Sequence, residues 1–341
     1  MVEDERDSAN GFHAPVELRR SASRVEEKRV KRLVRALFSR LSRYVGIDRI
    51  LAEVEDSKVL LGRYLTNQLK DTSPLLGLIA VEFKVFSQFG DDGILQYLIH
   101  KTDLPANLHT FVEFGVSDYE ESNTRFLLIK DNWRGLVIDG SARNVAHIRS
   151  RPWYWRHDLT AICAFITTSN IDGLIADNGF SGEIGILSID VDGNDYWVWE
   201  RIQCVQPVIV VAEYNSLFGW KHAVTVPYDP DFRRAIAHFS QLYWGCSLRA
   251  LAQQANKKGY ALVGSNSAGN NAYFVRRDRL GGFPELSPER AYVESKYRES
   301  RDPTGKLTYL AGRERIRVIG DMPLVDLDLG KTVRVADIVD S

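Results

Sequence analysis

The sequence predicts an α/β fold: an open, mostly parallel sheet with helices on both faces and a last strand running antiparallel. Three observations carry this. From Thr110 onward, short apolar runs alternate with polar helical stretches, the texture of strands buried on both faces and joined by helical crossovers. Two late runs, 260–263 and 272–275, are separated only by Gly264-Ser-Asn-Ser-Ala-Gly-Asn-Asn271 and read as an antiparallel pair. The chain has 341 residues, 44% hydrophobic and 26% charged, which suffices to bury such a sheet and excludes a disordered chain.

The elements follow in order. Residues 1–15 hold turn-formers without periodicity, carry a net −3, and read as a disordered tip. Residues 16–45 carry ten basic residues against three acidic, a net +7. Val30, Leu33, Val34, Leu37, Phe38, Leu41 and Val45 keep the spacing of one helix face. Two readings stand for this basic amphipathic helix. It packs its stripe on the body or on a second subunit, making a homo-oligomer, or it lies on an anionic membrane or another polyanion. Residues 47–85 continue as one or two helices marked by Leu60, Leu61, Leu65 and Leu69.

The strand candidates are Thr110-Phe-Val-Glu-Phe114, Gly135-Leu-Val-Ile-Asp139, Trp153-Tyr-Trp155, Ile184-Gly-Ile-Leu-Ser-Ile189 and Pro207-Val-Ile-Val-Val-Ala212, with helices at 122–131 and 142–150. Residues 276–341, rich in arginine with Tyr292, Tyr297 and Tyr309 interleaved, read as a cap or tail over the core. The expected divisions are 1–15, 16–84, 85–278 and 279–341.

Several classes are excluded. The net charge is −1, which argues against a uniformly basic nucleic-acid binder. The longest strand-like apolar run, residues 208–212, falls far short of a membrane span. The charged start, Glu3 to Asp7, has no apolar signal core. Cys163, Cys204 and Cys246 are widely spaced, which disfavours a disulfide framework or a zinc cluster. A cytoplasmic protein is expected, membrane-associated at the inner face only if the basic helix attaches it.

Ligands of open parallel sheets bind beyond the carboxyl ends of the strands. The first strand ends Glu113-Phe114-Gly115-Val116-Ser117-Asp118, with no GxGxxG set, so an NAD(P)-dependent oxidoreductase is disfavoured. Asp139 ends the second strand and suits ribose hydroxyls; Arg156-His157-Asp158 follows the third run and offers a polar edge to a base. Each acid alone reads as a loop cap, but acids at successive strand ends point to a nucleoside-type ligand. Asp190, Asp192, Asp195 and Glu213, followed by Asn215, form the oxygen-rich set that Mg²⁺ or Ca²⁺ prefers.

The segments Ser87-Gln88-Phe89-Gly90-Asp91-Asp92-Gly93, Glu113-Phe114-Gly115, Glu121-Ser-Asn-Thr124, Trp133-Arg-Gly-Leu-Val-Ile-Asp139 and Ser188-Ile-Asp-Val-Asp-Gly-Asn-Asp195 occur in an order that resembles class I S-adenosylmethionine (SAM)-dependent methyltransferases, and within them the FkbM-like group. The resemblance covers residues 85–278. It implies a Rossmann-like methyltransferase sheet, SAM as cofactor, and methyl transfer to a hydroxyl of a sugar, glycolipid or polysaccharide. Glu113 and Gly115 would lie beside the methionine part of SAM, Asp139 at the ribose and Asp158 at the adenine. Gln88 and Asn123 would meet the carboxylate or amino group.

Asp190 would contact the cofactor and serve catalysis, or join Asp192, Glu213 and Asn215 around Mg²⁺, as in metal-dependent sugar O-methyltransferases. His222 is the candidate base, with Tyr228 and Asp229 beyond it. Trp220, Trp244 and Tyr228 either stack on a sugar ring or belong to the core. Val116-Ser117-Asp118-Tyr119 departs from the glycines usual after strand one. That departure supports the alternative of a non-catalytic nucleoside-binding or scaffold protein.

Overall fold

The computed structural model describes Lys31 and residues 46–338. The tip expected at 1–15 and, Lys31 apart, the basic helix expected at 16–45 lie outside the described residues. Chain contacts define two units, residues 1–58 and 59–341. The described part of the first is helical from Ile47, the start of helix α1 (Ile47–Gln68), and leaves Ile47, Ile50, Leu51 and Val54 exposed.

The second unit is built on a seven-stranded sheet. Its strands are β1 (Thr110–Phe114), β2 (Arg134–Asp139), β3 (Leu159–Cys163), β4 (Gly182–Ile189), β5 (Val205–Glu213), β7 (Tyr260–Ser265) and β8 (Asn271–Arg276), in the order β3-β2-β1-β4-β5-β8-β7. β1 to β5 are parallel, and β8 runs antiparallel to both β5 and β7. This order, with its last strand reversed, is the Rossmann-like class I methyltransferase sheet. The order reverses between β1 and β4, which opens a crevice at their carboxyl ends.

Alternation along the strands fills both faces. Phe111, Val137, Ile186 and Val211 pack on one side under α2 (Asp91–Lys101), α3 (Arg125–Asp131) and α4 (Ala142–Ser150). Val112, Leu136, Leu187 and Val210 pack on the other under α5 (Ile171–Ala176), α6 (Asp195–Arg201) and α7 (Leu248–Lys257). Full burial on both faces is why these strands read as continuous apolar runs.

The third strand departs from expectation. Trp153-Tyr-Trp155 is not a strand: residues Tyr154–Arg156 form a 3₁₀ turn, and β3 begins at Leu159. The tail also holds more regular structure than a simple wrap. β9 (Pro323–Asp326) and β10 (Lys331–Arg334) form a hairpin that pairs with β6 (Val224–Thr225). Phe218, Phe232, Trp244, Ile316, Leu324 and Val335 share a small core beneath it, so the tail is fastened to the insertion that follows β5. Among the described residues, no helix is long and apolar enough to cross a membrane.

Candidate functional site

A cleft of about 690 Å³ lies at the carboxyl ends of the central strands, lined by Gln88, Gly115, Gly140, Phe165, Asp190 and Glu213 among others. Gly115 shapes its floor. Its φ is +67°, and a Cβ there would fall 1.8 Å from the Asp190 carbonyl oxygen, so only glycine lets the ends of β1 and β4 touch.

Pairing of Ile189 with Ala212 sets the next residues, Asp190 and Glu213, side by side. The Asp190 charge disfavours ionisation of Glu213 beside it. Burial pushes both well above the usual carboxylate range, and the neighbouring charges of Asp192 and Asp195 push the same way. One oxygen each of Asp190, Asp192 and Glu213 lies within 4.8 Å of the others. Glu213 Oε2 is buried and has no hydrogen-bond partner.

Asp195 does different work. It accepts hydrogen bonds from the Val191 (2.9 Å) and Gly193 (3.0 Å) amides, tying the loop that carries Asp192 at φ +56°. Burial raises its pKa to about 6 against these bonds.

Glu113 is buried within its loop. It accepts from Ser122 Oγ (2.6 Å), the Asn123 amide (2.9 Å) and the Thr124 amide (3.2 Å), so it moulds the path after β1, and it is Gly115 that lines the cleft. The Asn123 side chain donates to Ser188 Oγ at 3.1 Å, tying this loop to β4. Gln88 lines the cleft after a segment held by Asp92, whose Oδ2 accepts from the Val85, Phe86 and Ser87 amides at 2.7–2.8 Å. Asp139 Oδ1 accepts from the Ser141 amide (2.7 Å) and Asn144 Nδ2 (3.1 Å); its neighbours Ile138 and Gly140 line the cleft.

Three expected site residues lie elsewhere. Asp158 precedes β3, at the amino-terminal edge of the sheet, where it pairs with Arg134 at 3.7 Å. It cannot meet a ligand at the carboxyl ends. Asn215 donates to the Leu242 and Trp244 carbonyls at 3.0 Å and accepts from the Leu217 amide, so its amide serves the turn rather than the acid set. His222 lines a separate cavity of about 470 Å³ with Trp220, Tyr292 and Arg313. Trp244 is core, and Tyr228 hydroxyl accepts from the Thr168 amide. Trp220 also borders a cavity of about 730 Å³ at the sheet edge, which holds none of the strand-end acids.

The structure adds residues that the sequence did not announce. Phe165 and Ile166, just past the true end of β3, line the cleft, and Arg233 lies 5.7 Å over the Phe165 ring. Phe232, Arg234 and Gln241 come from the insertion after β5. The only sequence signal is an arginine pair after the turn-forming Asp229-Pro-Asp, which says nothing about which strand it would reach. The tail is docked at the end of β5: Tyr214 hydroxyl donates to the Val293 carbonyl, and the Ser295 amide donates to Ser216 Oγ.

No family model and no curated protein matches the chain. Solved structures do. The N-terminal domain of EvdMO1 with SAH bound is 10% identical over 62% of this chain and 94% of its own, with a TM-score of 0.35. An O-methyltransferase from Bacillus cereus in complex with SAH is 12% identical over 53% of this chain and 88% of its own, at 0.31. A coclaurine N-methyltransferase bound to N-methylheliamine and SAH is 11% identical over 62% and 65%, at 0.30. At these values the fold assignment rests on the chain's own strand order.

Proposed function

We propose that the protein is a SAM-dependent methyltransferase of the FkbM-like kind that methylates a hydroxyl of a sugar, glycolipid or polysaccharide. The observation that carries it is the cleft at the point where strand order reverses, with a glycine floor and the acids Asp190 and Glu213 in its lining. SAM supplies an electrophilic methyl group. Gly115, Gly140 and Ser141 leave room for its backbone-like portion, and Ile138 with Phe165 offers an apolar seat for its base.

The protein must then align an acceptor oxygen and remove its proton. Asp190 and Glu213 fit that role better than His222. They face the cleft, and burial together with the neighbouring acids raises their proton affinity, which strengthens a carboxylate as a base. The same oxygens, with Asp192, also fit a hard divalent cation, which would lower the pKa of a bound acceptor hydroxyl.

Titration calorimetry of the full chain with SAM and SAH tests the reading. Heat with both at micromolar concentrations is expected, and no heat with either ends it. Transfer of labelled methyl groups into a glycolipid or polysaccharide fraction, and not into RNA or protein fractions, tests the acceptor class.

A further inference from the structure

We propose that Arg234 is the resident cation of the acid cluster and competes with a divalent metal ion for it. Arg234 Nη1 lies 3.4 Å from Asp192 Oδ1, and Nη2 lies 3.6 Å from Glu299 of the tail. Nε donates to the Gln241 carbonyl at 2.8 Å, and the guanidinium lies 4.9 Å over the Trp244 ring. The side chain is only 20% exposed, so it is held from several directions and does not sweep through solvent.

The guanidinium leaves part of the cluster unserved. It spans Asp192 and Glu299, while Glu213, more than nine-tenths buried, keeps Oε2 without a partner. A planar fork of donors reaches the rim of the cluster. A small hard cation could instead sit among the three oxygens of Asp190, Asp192 and Glu213. Both cations draw on Asp192, and they repel each other across a few ångströms of partly buried space. Metal occupancy therefore weakens the hold of Asp192 on Arg234. This inference stands on the geometry of the acids and Arg234 and is independent of the SAM reading.

The test is Mn²⁺ binding to the full chain, followed by electron paramagnetic resonance of the free ion. Arg234→Met should bind Mn²⁺ about tenfold more tightly than wild type, the consequence of removing one unit charge beside a partly buried site. Arg234→Gln, which keeps an N–H for the Gln241 carbonyl, should give the same gain in a protein with less disturbed packing. Arg234→Lys, which keeps the charge, should stay near wild type. Adding Glu213→Gln to Arg234→Gln should abolish the gain. An Mn²⁺ affinity for Arg234→Gln within threefold of wild type overturns the proposal, as does a gain that survives Glu213→Gln. SAH calorimetry on the same samples reports the cofactor reading separately.

Discussion

Gly115 and Asp190 meet through backbone atoms, a contact tighter than any side chain allows. The positive φ and the 1.8 Å that would separate an added Cβ from the Asp190 carbonyl oxygen act together, so Gly115→Ala must shift the end of β1 or the loop after β4. We expect a loss of about 2–4 kcal/mol in urea unfolding and SAH binding weakened at least tenfold by calorimetry. Near-wild-type values in both would show that the contact is dispensable. Gly115 was legible from its place after an apolar run. Glu113 was legible as a residue of interest, but its work was not: a carboxylate can serve a ligand or its own loop. Here Ser122, Asn123 and Thr124 claim it from nine to eleven residues away.

At the scale of elements, the central strands were readable because they are buried on both faces, and the edge strand β3 was not. β3, Leu159-Thr-Ala-Ile-Cys163, buries only Leu159 and Ala161 and ends on an exposed cysteine, so its hydrophobic signal is diluted. The aromatic run before it looked stronger, yet Trp153 packs against Tyr119 and Arg125 at the foot of a 3₁₀ turn. This shift of a few residues moves the expected base-binding position from Asp158 to Phe165, at opposite ends of one strand. The SAM reading then makes a paired prediction. Asp158→Asn should leave SAH affinity within twofold of wild type, and Phe165→Ala should weaken it about tenfold, the order expected for an aromatic contact in a ligand cleft. The reverse ranking would return the base to the Asp158 edge and contradict the strand assignment. The tail hairpin was illegible for a related reason: β9 and β10 are four residues each, and their partner β6 lies about a hundred residues earlier in the chain.

Across the whole molecule, a net charge of −1 conceals where the acids are kept. Asp92, Glu113, Asp190, Asp195 and Glu213 are all buried or half-buried, and burial raises the pKa of each. Folding therefore takes up protons at these sites, and the linked stability is present in full below the unfolded value and lost as pH rises through the folded one. For Asp195 the window runs from 3.8, its ordinary value, to about 6; Asp190 and Glu213 shift in the same direction. Glu120, Asp172 and Asp278 oppose this, because Arg125, the Gln203 and Cys204 amides, and Arg276 respectively lower their pKa. Those groups sit nearer solvent, where screening weakens their weight. Urea unfolding of wild type and Asp195→Asn between pH 4 and pH 7 isolates one buried group from the rest. The Asn side chain does not ionise, so the wild type should lose stability relative to the variant as pH rises from about 4 to about 6. A difference that stays constant across that range would mean that the two loop amides, not burial, decide the charge state of Asp195. The acid loop would then be built to hold an anion rather than a proton.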